Sequence, residues 1–268
     1  DELKLANDDP YQTLLPKLAR FEAALLGWAE GNAGARGYVA FANKCWPAFQ
    51  SAFRFCPCYV NARLAAKGIP VGCETDIYGA LSQYIGTAAT GESCTLLDIN
   101  NTVPAEMAGK TGRNPADLFM AFHCGNTPME RLGCGRLTYQ RIMRRSLEPN
   151  VEPDITRGTL EGNIAASPAT FFRIQATAGG RLKAYAAQGE FLDADCRSFG
   201  GIGMACVPEM ERFYRYVLLE QRFPHHAAVA FRHAGAVLHS VYHYLGIEDA
   251  YYNHPAGLPY PSENPYQF

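Results

Sequence analysis

The feature that most constrains this 268-residue chain is a change of hydrophobic period near residue 100. Before it, short apolar runs alternate with helical repeats. Leu18, Phe21, Leu25 and Trp28 recur at helical spacing, and Gly37-Tyr38-Val39-Ala40-Phe41 then reads as a short buried strand. A helix over 48–66 and a strand at Ile69-Pro70-Val71-Gly72-Cys73 follow. Ile77, Leu81, Tyr84, Ile85 and Ala88 next define one helix face, opened by Thr75 or Asp76 and closed near Gly91. A further strand covers 94–98. Elements in this order make βαβ units, so the spacing predicts α/β structure, with a partial parallel, Rossmann-like domain over 1–98.

After a loop-like stretch at 100–117, rich in Asn, Thr, Pro and Gly, the pattern becomes that of strands following strands. Leu118-Phe119-Met120-Ala121-Phe122 reads as a strand. The segments 169–175 and 182–188, on either side of Gly179-Gly180, read as a hairpin. Pro208 opens a helix carrying Met210, Phe213, Tyr214, Val217 and Leu218. A strand over 226–231 precedes a last helix with Leu238, Val241, Tyr242 and Leu245, and Gly200-Gly201-Ile202-Gly203 reads as a turn. Residues 99–268 are therefore expected to form a mostly antiparallel, β-rich α+β domain.

Composition narrows the function classes. Lys+Arg number 24 against Asp+Glu 26, with no basic run, so the chain lacks an electrostatic footprint for nucleic acid or an anionic membrane. No apolar run reaches the length of a membrane span, and Asp1-Glu2-Leu3-Lys4 is not the start of a signal peptide, so a cytoplasmic protein is expected. Nine cysteines in a chain this long read as free thiols. Cys56-Pro57-Cys58 is the closest pair, and no second pair stands at zinc-finger spacing.

Glu74 and Asp98 carry the chemistry. Each falls at the end of a predicted strand in consecutive units, where ligands gather in open parallel sheets. Two carboxylates facing one crevice repel unless one is protonated or a cation lies between them, and Mg²⁺ or Mn²⁺ suits such oxygen donors. His226, made rigid at its approach by Pro224, is the imidazole candidate. On spacing alone, each of the three is more often a surface or capping residue than a ligand.

The run Gly72-Cys73-Glu74-Thr75-Asp76-Ile77-Tyr78-Gly79-Ala80-Leu81, followed by Leu96-Leu97-Asp98, resembles the segment of L-fucose isomerase and related sugar isomerases, L-arabinose isomerase among them, that carries two metal-binding carboxylates. Pro224-His225-His226, continuing to His233-Ala234-Gly235-Ala236 and Leu245-Gly246-Ile247, is similar to the family's C-terminal segment. Phe122-His123-Cys124-Gly125-Asn126 and Gly189-Glu190 to Ser198-Phe199-Gly200-Gly201 resemble blocks in less characterised members. The resemblance implies an aldose-ketose isomerase acting through an enediol on a sugar of the L-fucose, D-arabinose or L-arabinose type. In it Glu74, Asp98 and His226 hold Mn²⁺, with Mg²⁺ or Co²⁺ as substitutes, and Glu74 and Asp98 also move the proton. It implies a homo-oligomer, trimer or hexamer, with a pocket shared between subunits.

His123 is a candidate for contact with sugar hydroxyls or the metal, against a structural loop histidine. His225 stands where L-fucose isomerase has asparagine, which opens the choice of sugar, and Tyr185 is a candidate stacking face. Family members are longer at the N-terminus, so the chain is expected to be the C-terminal portion, with the remainder truncated, processed or separate. A non-catalytic sugar-binding or regulatory remnant, and a metal-dependent aldolase or epimerase, are the competing readings.

Overall fold

The computed structural model describes residues 9–100, 103–150 and 155–263. In chain order the helices are α1 (Asp9–Asn32), α2 (Ala48–Phe53), α3 (Cys58–Ala66), α4 (Ile77–Thr90), α5 (Ala105–Ala108), α6 (Arg141–Leu147), α7 (Met210–Phe213) and α8 (Gly235–Tyr244). The strands are β1 (Phe41–Ala42), β2 (Val71–Gly72), β3 (Cys94–Ile99), β4 (Leu118–His123), β5 (Arg136–Tyr139), β6 (Arg157–Asn163), β7 (Ser167–Ala176), β8 (Leu182–Phe191), β9 (Gly201–Cys206), β10 (His226–Ala230) and β11 (Asp249–Tyr252).

The architecture is mixed α/β. A two-stranded parallel sheet, β1 with β2, accompanies a nine-stranded sheet in the order β11-β8-β7-β10-β3-β4-β9-β6-β5. The large sheet is mostly antiparallel, and a further pairing of Phe191 with Ala205 and Glu190 with Cys206 joins β8 to β9. Strands β8, β7, β10, β3, β4 and β9 thereby close into a ring. Closure satisfies backbone groups that an open sheet would leave bare. Phe119, Ala121, Phe171, Ala187, Phe191, Ala205 and Val229 belong to one core cluster, while Phe172, Ile174, Ala228 and Ala230 belong to another shared with Leu238 and Tyr242 of α8. Alternation along β7 and β10 thus sends successive side chains to opposite faces, and both faces are dry.

The expected Rossmann-like parallel arrangement is present only as β1–β2. The third strand of the expected series, β3, pairs antiparallel with β10 and β4 instead. The physical reason is its neighbours: β3 is buried on both sides, and hydrophobic run length does not tell a parallel from an antiparallel central strand. Helix 48–66 is broken into α2 and α3 by Arg54, which sits in the left-handed region at φ 63°, and by Pro57 at the start of α3. The Gly201–Cys206 segment, expected as a turn at its start, is a fully buried strand.

Helix α4 begins and ends as expected, with the Asp76 carboxylate accepting from Gly79 N at 2.8 Å and Gly91 in the left-handed conformation. Its packed face is different. Gly79, Ala80, Ser82, Gln83 and Gly86 are buried, whereas Ile77 and Leu81 are exposed. Small residues let α4 lie close on the sheet: a Cβ on Gly86 would strike the Phe172 ring and Cys94, and one on Gly79 would strike the Asp76 carboxylate and Leu96. The hairpin β7–β8 and the strands β4 and β10 stand where the sequence places them. Among the described residues, no helix is long and apolar enough to cross a membrane. All nine cysteines are free.

Candidate metal centre

Strand register builds the first half of the site. In the antiparallel pair β10–β3, His226 lies directly opposite Asp98, and direct neighbours on one face have Cβ atoms about 5 Å apart. His226 Nε2 is accordingly 3.3 Å from Asp98 Oδ1. His123, the last residue of β4, brings its ring centroid to 5.5 Å from that of His226.

Glu74 arrives differently, from the turn between β2 and α4. Glu74 and Thr75 both take positive φ, 58° and 62°, a conformation that costs an L-residue about 1–2 kcal/mol. The turn is held by Thr75 N donating to Asn43 O at 2.9 Å and by Glu74 N donating to Cys45 Sγ at 3.3 Å. In this position Glu74 Oε2 lies 3.8 Å from His226 Nε2.

Two triads result, Glu74-His123-His226 and Asp98-His225-His226, each with one donor atom per residue within 4.8 Å of the others. The donor atoms lack other employment. Asp98 Oδ1, His226 Nε2 and His123 Nδ1 are buried without a hydrogen bond. A buried polar atom without a partner costs about 1–3 kcal/mol, so these atoms suit a ligand that would satisfy them. Two donors bound at right angles to one small divalent cation stand about 3 Å apart, close to the Asp98–His226 separation. A mixed set of carboxylate oxygens and imidazole nitrogens fits a divalent metal ion, and no thiolate belongs to either triad.

The opposite side of the His226 ring is closed. Nδ1 meets Asp76 Oδ2 at 2.9 Å, and Arg173 clamps the same carboxylate with Nη1 to Oδ2 and Nη2 to Oδ1, both 2.7 Å. Arg173 also donates to the His226 carbonyl at 3.1 Å. With Nδ1–H committed to Asp76, the Nε2 lone pair is turned toward Glu74 and Asp98, the arrangement that orients a metal-binding imidazole.

Charge follows geometry. Burial alone would raise the Asp76 carboxyl, but the His226 hydrogen bond and the paired Arg173 hold it well below the usual carboxylate range. Asp98 has no such clamp, and burial pushes it up despite the two nearby imidazoles. Burial, with His226 and His225 adding to it, lowers His123 to about 3, which keeps its ring neutral. For His226, burial works downward, yet the Asp76 hydrogen bond and the surrounding carboxylates turn the net shift upward.

Of the residues singled out in the sequence, His226 is joined by Glu74 and His123 in one triad and by Asp98 and His225 in the other, and Glu74 and Asp98 share neither. His225 is exposed, with Nε2 3.6 Å from Asp98 Oδ1. Tyr185 is not available as a stacking face. It is fully buried, its ring edge-on to Phe213 and Phe223, because residue 185 of β8 points into the main core. Sequence reasoning missed Asp76, which reads as a helix cap, and Arg173. The signal for Arg173 is its setting: a lone guanidinium in Phe171-Phe172-Arg173-Ile174 requires a buried counter-charge.

Residues 121–253 match the family model of the L-fucose isomerase C-terminal domain, a span that contains His123, His225 and His226. A sulfoquinovose isomerase of Alkalicoccus urumqiensis is 27% identical over 248 residues, covering 85% of this chain and 52% of that protein. Another, of Clostridium sp. (strain MSTE9), is 33% identical over 105 residues, covering 37% of this chain and 24% of that protein. The chain thus spans about half the length of the first of these relatives and matches a quarter of the second. Residues 121–253 thus carry the match to the L-fucose isomerase C-terminal domain, and the long alignment relates most of the chain to a sulfoquinovose isomerase.

Proposed function

We propose that this site serves a metal-dependent aldose-ketose isomerase. The observation that carries the reading is that two triads of possible metal donors, one with Glu74 and His123 and one with Asp98 and His225, meet at His226, with Asp98 Oδ1, His123 Nδ1 and His226 Nε2 buried and without a hydrogen bond. Glu74, Asp98 and His226 would hold the ion, with His123 completing the protein's share. Mn²⁺, or Mg²⁺ or Co²⁺ in its place, supplies charge that polarises a sugar carbonyl and acidifies the neighbouring hydroxyl.

The chain's own groups account for the proton traffic. Isomerisation moves one hydrogen from C2 to C1 and one from O2 to O1, through a cis-enediol. Glu74 lines an open cleft, which supports it as the carboxylate that takes the C2 proton and returns it to C1. Asp98, raised by burial, is suited to hold the hydroxyl proton in transit. Asp76 and Arg173 keep the His226 ring from turning while these exchanges occur. His225, at the rim, is placed to touch substrate hydroxyls.

The substrate is an aldose of the L-fucose, D-arabinose or L-arabinose type, or the sulfonated hexose for which the relatives are named. The outward apolar residues Ile77 and Leu81 of α4 support the expectation of a homo-oligomer in which a further chain covers this side of the molecule.

The test is Glu74→Gln with Mn²⁺ content and ketose formation measured together. Both are expected to fall by at least about a hundredfold, the upper range of the loss produced by removing an outer partner alone. Unchanged ketose formation overturns the reading.

A further inference from the structure

The cleft that Glu74 and His226 line has a volume of about 860 Å³ and continues past the metal donors to a second, oppositely charged wall. That wall is built by the β7–β8 hairpin and the turn before β10. Gln175 of β7 lies opposite Lys183 of β8, two residues along the strand from Arg173. Two residues of strand span about 7 Å, comparable to the length of an extended six-carbon sugar. Lys183 Nζ donates to the carbonyls of Gln221 and Arg222 and lies 4.5 Å from the centre of the Phe223 ring, which fixes its position against the turn.

Arg222 stands at that turn with φ 54°, a left-handed residue without glycine's freedom. Backbone strain of this kind, at a charged residue lining a cleft, marks a position retained for its side chain. Among the described residues, no carboxylate comes within ion-pair distance of Lys183 or Arg222. Asp249, the acid that bears on Lys183, is 3.7 Å from Arg181. Burial and the adjacent Arg222 both depress the Lys183 ammonium, which an anion between the two cations would reverse.

We propose that Lys183 and Arg222 form the subsite for a tetrahedral anion, a sulfonate or phosphate carried on the carbon remote from the reacting carbonyl. This inference rests on the isomerase reading above. Glu74 and His226 at one end of the cleft and cations without a carboxylate partner at the other orient such a sugar in one direction only. A neutral aldose gains nothing from the cationic wall and must leave both groups to water.

The experiment is calorimetric titration of the Mn²⁺-loaded chain with three sugars: sulfoquinovose, which is glucose with a sulfonate on C6, then glucose 6-phosphate and D-glucose. At least one anionic sugar is expected to bind about tenfold or more tighter than D-glucose, with the advantage shrinking as salt is raised. Comparison of the first two sugars tells sulfonate from phosphate. Lys183→Met keeps the stem over Phe223, and Arg222→Asn suits the left-handed backbone, so both variants retain the turn. Each is expected to narrow the gap between charged and neutral sugars by about tenfold while leaving Mn²⁺ affinity unchanged. Equal affinity for all three sugars, absence of sugar binding, or a gap unmoved in both variants overturns the subsite. Retained Mn²⁺ binding and isomerisation of neutral sugars would in those cases leave the isomerase reading standing. Anion selectivity in a chain that binds no Mn²⁺ would do the reverse.

Discussion

The two nitrogens of the His226 ring face unlike surroundings. On the Nδ1 side, Asp76 is hydrogen-bonded to the ring and gripped by two arms of Arg173, so every charge has a partner. On the Nε2 side, Asp98 and Glu74 gather at 3.3 and 3.8 Å with no cation among them. The two sides use the same residue types within a few ångströms. The first is a finished ion pair that contributes to folding, and the second is one that folding leaves incomplete. Destabilising charge kept at one point, beside a neighbour fully compensated, is the pattern of a binding site rather than of a core.

The comparison breaks most sharply with Asp98→Asn. Mn²⁺ affinity is expected to drop by more than about a hundredfold, beyond the range seen for outer partners. The metal-free protein should meanwhile be unchanged or about 1 kcal/mol more stable, because an uncompensated buried carboxylate has been removed. Calorimetric metal titration and thermal unfolding read the two effects, and a large loss of metal-free stability would place Asp98 among the folding contacts.

Asp76→Asn should behave in the opposite way. It strips Arg173 of its counter-charge, at a cost of about 3 kcal/mol, and lowers metal affinity by roughly 10–100-fold through a freed imidazole. The pH dependence separates the two acids further. Asp76 has a depressed folded pKa, so its stabilisation is present above the unfolded value of 3.8 and is lost as pH falls through the lower folded value. The difference in stability between wild type and Asp76→Asn should therefore vanish in strong acid. Asp98 has a raised folded pKa, so its penalty is absent below 3.8 and complete once pH has risen past the folded value. Denaturant unfolding of the metal-free variants across the acid range measures both slopes, and slopes of like sign would erase the contrast.

His225→Asn is the smallest perturbation. His225 is exposed and 3.6 Å from Asp98, where an ion pair contributes about 1 kcal/mol at most. Metal affinity should change by less than about fivefold. A loss as large as that of Asp98→Asn would make His225 a ligand beside Asp98 and His226.

How much of this was legible in the sequence depends on the range of the interaction. Local features were readable: the Asp76 cap and Gly91 stop of α4, the β7–β8 hairpin, and β3 and β10 as strands. Pairing partners were not, since β3 joins β10 from far along the chain as well as its neighbour β4, and a strand buried along nearly its whole length is silent about direction. The outward turn of Ile77 and Leu81 was misjudged because helical periodicity marks the apolar stripe, whereas close packing on a sheet selects the small residues Gly79, Ala80 and Gly86. Glu74, Asp98 and His226 could be named through the resemblance to a family. Asp76 and Arg173 could not, because their partnership spans 97 positions and is defined only by folding.

The ring closed by β8 and β9 also determines what another chain can do to this molecule. Among the described residues, the large sheet ends at β5 and β11, each only four residues long, so there is almost no bare backbone onto which a foreign strand could zip. Association through that sheet must then be made by side chains meeting side chains, and the strands bearing His226 and Asp98 are protected from the runaway stacking that threatens open-edged β proteins.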